Sequence, residues 1–320
     1  MGQWNDAGDS LLVHTSGSTG TPKPMWVEKK RMLNSARITC DFLGLKAGDT
    51  ALLCLPLDYI AGKMMAVRSI ERGLRLICVE PSNHPLAGIG DLVPDFVAMV
   101  PSQVFSSLHV LQEREVLRKI RHLIIGGGAI SPELQDEIRA LDSEGQIWST
   151  YGMTETLSHI ALRKLNGADS DEWYKPFESV RISLTQDGCL AIDAPLVHEG
   201  VLVTNDLAEI SEGRFRILGR KDNVICSGGI KLQIEKIESK LRPFLTQPFC
   251  ITRRKDPKFG EIVVLLVAGG NIPQDKIKEA FSHLDHYEVP KAVLYVESVP
   301  ITETGKISRA EAEKMAVDQE

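Results

Sequence analysis

The chain has 320 residues, room for two domains or for one large and one small. Its charge is mildly acidic, 37 Lys+Arg against 43 Asp+Glu, which excludes a general electrostatic nucleic-acid binder, a class that needs a basic surplus. No apolar run approaches the roughly 20 residues that span a bilayer, so no membrane insertion is expected.

Met1 to Asp6 shows neither the basic start nor the apolar stretch of a signal peptide, and Asp6 stands where a myristoylation pattern needs Ser or Thr. The cysteines (Cys40, Cys54, Cys78, Cys189, Cys226, Cys250) form no CxxC pair and signal neither a zinc site nor a disulfide framework. They are expected as buried, reduced thiols of a soluble cytoplasmic protein.

Leu11 to His14 reads as a buried strand that runs straight into a glycine-rich loop. A helix is expected from Glu28 to Leu43, closed by Gly44, and then a strand over Thr50–Leu55 stopped by Pro56. A helix over Met64–Arg72 ends at Gly73, and a strand follows over Leu74–Val79. Phe96–Val100 and His122–Ile125 repeat the strand signal, with a helix between them from Gln103. Short aliphatic strands alternating with longer helices predict a parallel α/β sheet.

The texture changes after residue 176, where Val180–Leu184, Cys189–Asp193, Gly200–Val203 and Phe215–Leu218 read as short strands of a small β subdomain. Beyond Gly219-Arg220-Lys221-Asp222 come a helix (Gln233–Leu241), a strand (Ile262–Ala268), a helix (Pro273–Leu284) and a strand (Ala292–Val296). That is enough for a separate α+β unit. The boundaries expected are residues 1–219, a hinge at 220–222, and residues 223–320.

The first stretch with chemistry is Thr15-Ser16-Gly17-Ser18-Thr19-Gly20-Thr21-Pro22-Lys23-Pro24. Hydroxyls and glycines after a strand can turn backbone N–H groups toward an anion, and Lys23 adds a cation. It is not a Walker A loop, because Lys23 follows Pro22 and no Ser or Thr comes after it. Downstream stand Gly126-Gly127-Gly128-Ala129-Ile130-Ser131, Thr150-Tyr151-Gly152-Met153-Thr154-Glu155, Thr204-Asn205-Asp206-Leu207 and Pro300 to Arg309, which contains Gly305-Lys306-Ile307. Ser131 with Pro132 also reads as a helix start.

In this order, over residues 11 to 309, these stretches resemble the adenylate-forming superfamily: acyl-CoA synthetases, peptide-synthetase adenylation domains and luciferases. The resemblance implies an α/β fold of that compact type, a large α/β domain with a small β subdomain and a smaller mobile C-terminal α+β domain. It implies the ATP-dependent activation of a carboxylic acid to an acyl-adenylate and then a thioester, with ATP, Mg²⁺ and coenzyme A. Thr15, Ser16, Gly17, Ser18, Thr19, Gly20 and Lys23 would cradle phosphates. Gly127, Gly128 and Ala129 would lie along the adenine, Tyr151 and Gly152 would flank it, and Thr154 would contact phosphate. Glu155 would hold Mg²⁺, as an oxygen-only ligand suits a hard cation.

By the same resemblance Asp206 would accept the ribose hydroxyls, Arg220 would be a second ribose or phosphate contact, and Asp222 the hinge. Lys306, carried in by the mobile domain, would neutralise charge developing between carboxylate and α-phosphate. Ser227-Gly228-Gly229 would line the channel for the pantetheine arm. Pro24 stands in place of the pattern's final glycine and Asn205 in place of the glycine of TGD.

For the acid, Leu55-Pro56-Leu57-Asp58-Tyr59-Ile60-Ala61-Gly62-Lys63 takes the place of LPLFHxxG, with Asp58-Tyr59 in place of the aromatic-His pair. Tyr59, Gly62 and Arg68 are the expected acid-side residues. An apolar acid needs no buried cation, whereas Arg68 could pair with a second carboxylate; Arg68 reaching the surface is the competing reading. With Val100-Pro101-Ser102-Gln103 and the terminal Gly305 to Arg309, the stretch is similar to the o-succinylbenzoate–CoA ligases of menaquinone biosynthesis. A ligase for another aryl or short acyl acid, one that loads a carrier protein, and a non-catalytic nucleotide-binding homologue stay open. The phosphate loop begins unusually close to residue 1 for this superfamily, so either the ligase is compact or an N-terminal piece is missing. The flank so exposed would need covering, as by a partner subunit of a homo-oligomer.

Overall fold

The computed structural model describes residue 4 and residues 6–14, 24–302 and 307–318. The expected phosphate loop (Thr15, Ser16, Gly17, Ser18, Thr19, Gly20 and Lys23) and Lys306 lie outside the described residues.

The first strand, β1 (Ser10–His14), pairs antiparallel with β2 (Pro24–Glu28), Val13 opposite Met25. This corrects the expectation that Leu11–His14 belongs to the parallel sheet. The sequence signal for β2 is weak: Trp26 is 72% exposed while Val27 is buried, a period-2 alternation only five residues long. Helix α1 (Lys29–Leu43) then buries Met32, Ala36, Thr39, Cys40 and Leu43, a helical stripe, and stops at Gly44 with φ 65°.

The large sheet contains β3 (Thr50–Leu53), β4 (Arg75–Cys78), β5 (Phe96–Met99), β6 (His122–Ile125), β7 (Gln146–Gly152), β8 (His159–Lys164) and β9 (Lys175–Pro176). Its order is β4-β3-β5-β6-β7-β8-β9, parallel from β4 to β7 and antiparallel at β8 and β9. The connections carry helices α2 (Ile60–Arg72), α3 (Pro101–Leu108), α4 (Leu111–Lys119) and α5 (Pro132–Ala140). The single helix expected from Gln103 is thus two, α3 and α4. Because β4 and β5 lie on opposite sides of β3, the strand order reverses there, and the crevice for a ligand falls outside the carboxyl ends of these strands. Leu55-Pro56 follows β3 and Val100-Pro101 follows β5, so both stretches sit at that reversal.

A four-stranded antiparallel sheet follows in the order β10 (Arg181–Leu184), β11 (Cys189–Asp193), β12 (Val201–Ser211) and β13 (Arg214–Arg220). Its inner face shares a core with β1, β2, α1 and α2, through Leu190, Ile192, Phe215, Met32, Met64 and Val13. A short 3₁₀ turn, Lys221–Asn223, leads to the last unit. There β14 (Val224–Ser227), β15 (Ile230–Gln233), β16 (Phe249–Asp256), β17 (Gly260–Ala268) and β18 (Ala292–Val296) form a five-stranded sheet. Helices α6 (Ile234–Leu241) and α7 (Gln274–Ser282) cover one face and α8 (Arg309–Asp318) the other. The expectation of six buried thiols fails at two: Cys78 lies on the edge strand β4 and Cys226 points outward from β14, and both are exposed.

Candidate functional site

The glycine segment after β6 and the Tyr-Gly stretch at the end of β7 are laced together at the carboxyl edge of the sheet. Thr150 Oγ1 donates to the Ile125 carbonyl at 3.2 Å. A Cβ on Gly126 would overlap that same hydroxyl, so only glycine fits there. Gly127 follows with φ 80°, a backbone turn that exposes the segment. Ser131 Oγ accepts from Leu134 N at 3.2 Å with Pro132 next to it, so this residue does cap a helix. A Cβ on Gly152 would overlap the Ser158 carbonyl, which gives this glycine a packing reason of its own.

Beyond Gly152 the chain makes a 3₁₀ turn over Thr154–Thr156. Thr154 is buried and Glu155 half-buried. The Glu155 carbonyl accepts from His198 Nδ1 at 3.1 Å, while among the described residues its carboxylate has no cationic partner. No cluster of three or more His, Cys, Asp or Glu able to hold a metal occurs among the described residues.

Opposite this turn, β12 and β13 pair with Asp206 facing Arg220. Tyr151 Oη donates to Asp206 Oδ2 at 2.6 Å, and Arg220 Nη1 donates to Asp206 Oδ1 at 3.3 Å. Arg220 Nη2 reaches Asp222 Oδ2 at 2.9 Å, and Asn205 Nδ2 approaches the same oxygen at 3.5 Å. Three separate stretches of sequence therefore close into one hydrogen-bonded cluster. Burial first, then the Asp206 carboxylate, push the Tyr151 phenol far above its ordinary range, so it stays a donor. For Arg220 burial works against the charge, but the bond to Asp222 and the nearby Asp206 outweigh it and raise its pKa. The Tyr151 ring is backed edge-on by Phe215, with centroids 5.0 Å apart.

The residues expected on the acid side lie on α2 or at its start. Tyr59 is its N-cap residue, and its carbonyl accepts from Lys63 N at 3.2 Å. A Cβ on Gly62 would overlap the Pro56 carbonyl, so glycine lets the helix seat on the Leu55-Pro56 turn. Arg68 is only 2% exposed, which rules out the reading in which it reaches the surface. Its Nη2 donates to Ser158 Oγ, its Nη1 makes a weak contact with Met65 Sδ at 3.8 Å, and its buried Nε has no partner among the described residues. Among the described residues no carboxylate pairs with it, and burial pushes its pKa down to about 10. Its neighbours Ser158, His159 and Thr39 give no signal of this role in the sequence.

At the far unit, Ser227-Gly228-Gly229 forms the turn between β14 and β15, with φ 58° and 83° at the two glycines, as a tight two-residue hairpin demands. On either side of residues 303–306, Ile301 bridges to Ile307, and Ser308 N donates to the Pro300 carbonyl at 2.9 Å. Arg309 makes a two-pronged contact with Glu238 at 2.6 and 2.8 Å.

A reversed parallel sheet with nucleotide-type glycine and carboxylate groups at its carboxyl edge, followed by a β subdomain and a separate α+β unit, defines an adenylate-forming enzyme. The chain belongs to the family of AMP-binding enzymes, whose model matches residues 3–185. It is 34% identical to an acyl-CoA synthetase (AMP-forming)/AMP-acid ligase II-like protein from Dyadobacter fermentans, over 99% of this chain and 92% of that one, with a TM-score of 0.65. It is 26% identical to the 2-succinylbenzoate–CoA ligase of Staphylococcus epidermidis over 93% of this chain and 68% of that protein. The o-succinylbenzoate coenzyme A synthetase of Bacillus subtilis, solved with ATP and magnesium, shares the fold at a TM-score of 0.78 and 22% identity, over 94% of this chain and 69% of that one. Across such curated ligases the chain spans 57% to 69% of their lengths.

Proposed function

We propose that this protein is an AMP-forming acid–CoA ligase, and that its acid is o-succinylbenzoate, activated for menaquinone biosynthesis. The observation that carries adenylation is the Tyr151–Asp206–Arg220 cluster. Each Asp206 oxygen already accepts one protein donor. A carboxylate offers about four acceptor sites, so two remain for ribose hydroxyls. Glu155, whose carboxylate has no cationic partner among the described residues, would hold Mg²⁺, which would supply charge neutralisation for phosphates. A single carboxylate, with no cluster of acidic or His/Cys ligands among the described residues, fits Mg²⁺, which typically takes one or two carboxylates and completes its shell with water and phosphate oxygens.

In the first half-reaction a substrate carboxylate oxygen attacks the α-phosphorus of ATP, and diphosphate leaves. In the second, the CoA thiolate attacks the acyl carbon and AMP leaves. Lys23, Thr19, Thr154 and Lys306 are assigned to positioning and charge neutralisation around the phosphates, where most of the rate arises in such transfers. Residues 1–219 would bind ATP and acid. Residues 223–320 would turn about Asp222 to bring first Lys306, then Ser227-Gly228-Gly229, to the site. No helix among the described residues is long and apolar enough to cross a membrane, and we place the reaction in the cytoplasm.

The choice of acid rests on Arg68. A buried guanidinium without a carboxylate partner is costly and asks for an anion. A dicarboxylic substrate that presents one carboxylate to ATP and the other to Arg68 supplies it. The test is release of diphosphate by purified protein with MgATP and a panel of acids. o-Succinylbenzoate should give the highest kcat/KM, and CoA should be the acceptor; a better rate with a monocarboxylic acid refutes the substrate assignment.

A further inference from the structure

Arg68 heads a chain of hydrogen bonds whose direction can be worked out from its far end. Thr39 Oγ1 donates its one proton to the Ser35 carbonyl at 3.1 Å, one turn back on α1. Toward His159 Nε2, 3.1 Å away, the same hydroxyl can then only accept, so Nε2 carries the ring proton. Burial, with the Arg68 charge adding to it, holds His159 well below its ordinary pKa, and the ring is neutral with a bare Nδ1. That nitrogen lies 3.2 Å from Ser158 Oγ and accepts the serine proton. Having given up its proton, Ser158 can only accept from Arg68 Nη2. The polarity of the chain is fixed from the Ser35 carbonyl to the guanidinium.

We propose that His159, locked by Thr39 in its Nε2–H tautomer, is a positioning residue that sets specificity for a dicarboxylic acid by turning Ser158 into an obligate acceptor for Arg68. This rests on the assignment of Arg68 to the second carboxylate. The geometry gives it content. With Ser158 committed to His159, the hydroxyl cannot donate to the substrate, and the anion must be bound by the guanidinium itself. Of the five guanidinium N–H donors three remain for it, among them the buried Nε–H, which has no partner among the described residues. Phe177, its ring centroid 5.6 Å from that of His159, backs the imidazole.

Steady-state diphosphate release tests this, with o-succinylbenzoate and ATP varied separately, in wild type, His159→Leu, His159→Gln and Thr39→Val. Leucine ends the chain, and KM for the acid should rise about tenfold while KM for ATP holds. Glutamine can accept from Ser158 and donate to Thr39, and should restore the acid KM to within about threefold of wild type. Thr39→Val frees the tautomer and should raise the acid KM about threefold.

An unchanged acid KM in His159→Leu, a parallel rise in both KM values, or glutamine no better than leucine overturns the proposal. Should His159→Leu not fold, Thr39→Val decides alone: no rise in acid KM overturns it. A wild type that turns over no dicarboxylic acid overturns the substrate reading as well. An active wild type with indifferent variants overturns only the role of His159.

Discussion

The nucleotide edge and the acid side of this molecule treat charge in opposite ways. At the nucleotide edge, Asp206, Arg220 and Asp222 compensate one another, with Tyr151 as a fourth member, before any ligand arrives. At the acid side Arg68 is buried against a neutral serine and a neutral histidine, and its charge is uncompensated by any carboxylate among the described residues. The first arrangement stabilises the folded chain and leaves spare acceptors. The second costs stability and leaves a spare cation. On the proposed assignments, recognition of the acid would rest on strain that the substrate relieves, and recognition of the nucleotide on a framework that already stands.

Mutation can break that contrast, because the two regions should respond with opposite signs. Asp206→Ala is expected to have the largest effect. It removes the proposed ribose acceptor and should lower kcat/KM for ATP by about a thousandfold, and it leaves Tyr151 without Asp206, a loss of about 1–2 kcal/mol of stability. Arg68→Met should lower kcat/KM for the acid about a hundredfold while ATP affinity is kept. Yet it should raise Tm by about 2 °C, since removal of an uncompensated buried charge stabilises. Calorimetry and kinetics on the two variants settle the matter: if both lose stability, the acid side is not strained.

The smallest effect concerns pH. His159 is held below its ordinary pKa of 6.5 by burial and then by Arg68, so the folded chain refuses a proton that the unfolded chain accepts. Stability should then rise with pH through the window below 6.5 and fall on acidification. His159→Gln should flatten that fall, seen as Tm between pH 7.5 and about 5; parallel losses in both proteins would place the acid sensitivity elsewhere.

The same contrast explains what could be read from the sequence. The nucleotide side gathers several short motifs, each legible by itself, as in Thr150 to Glu155, where a turn and its functional side chain lie together. The acid side is assembled from distant residues: Ser158 lies 90 positions from Arg68, and Thr39 lies 120 from His159. A lone Arg on a helix gives no sign of such partners. Fold legibility followed a similar rule. Gly44 and Gly73 marked helix ends correctly, because both need a left-handed backbone. The sequence marks β16 only weakly, because it ends in the charge run Arg253-Arg254-Lys255-Asp256. The antiparallel pairing of β1 has little signal in the sequence, because its partner starts with Pro24 and shows only a brief alternation.

The guanidinium of Arg220 divides itself between two carboxylates, Asp206 within the sheet and Asp222 in the turn between the two units. That shared cation is a thermodynamic link. A ligand that draws Arg220 toward itself weakens its hold on Asp222, and any motion at Asp222 that draws the cation away alters the affinity at Asp206. Reciprocity requires the two effects to be equal in free energy, so filling the nucleotide site and moving the turn are two readings of one equilibrium.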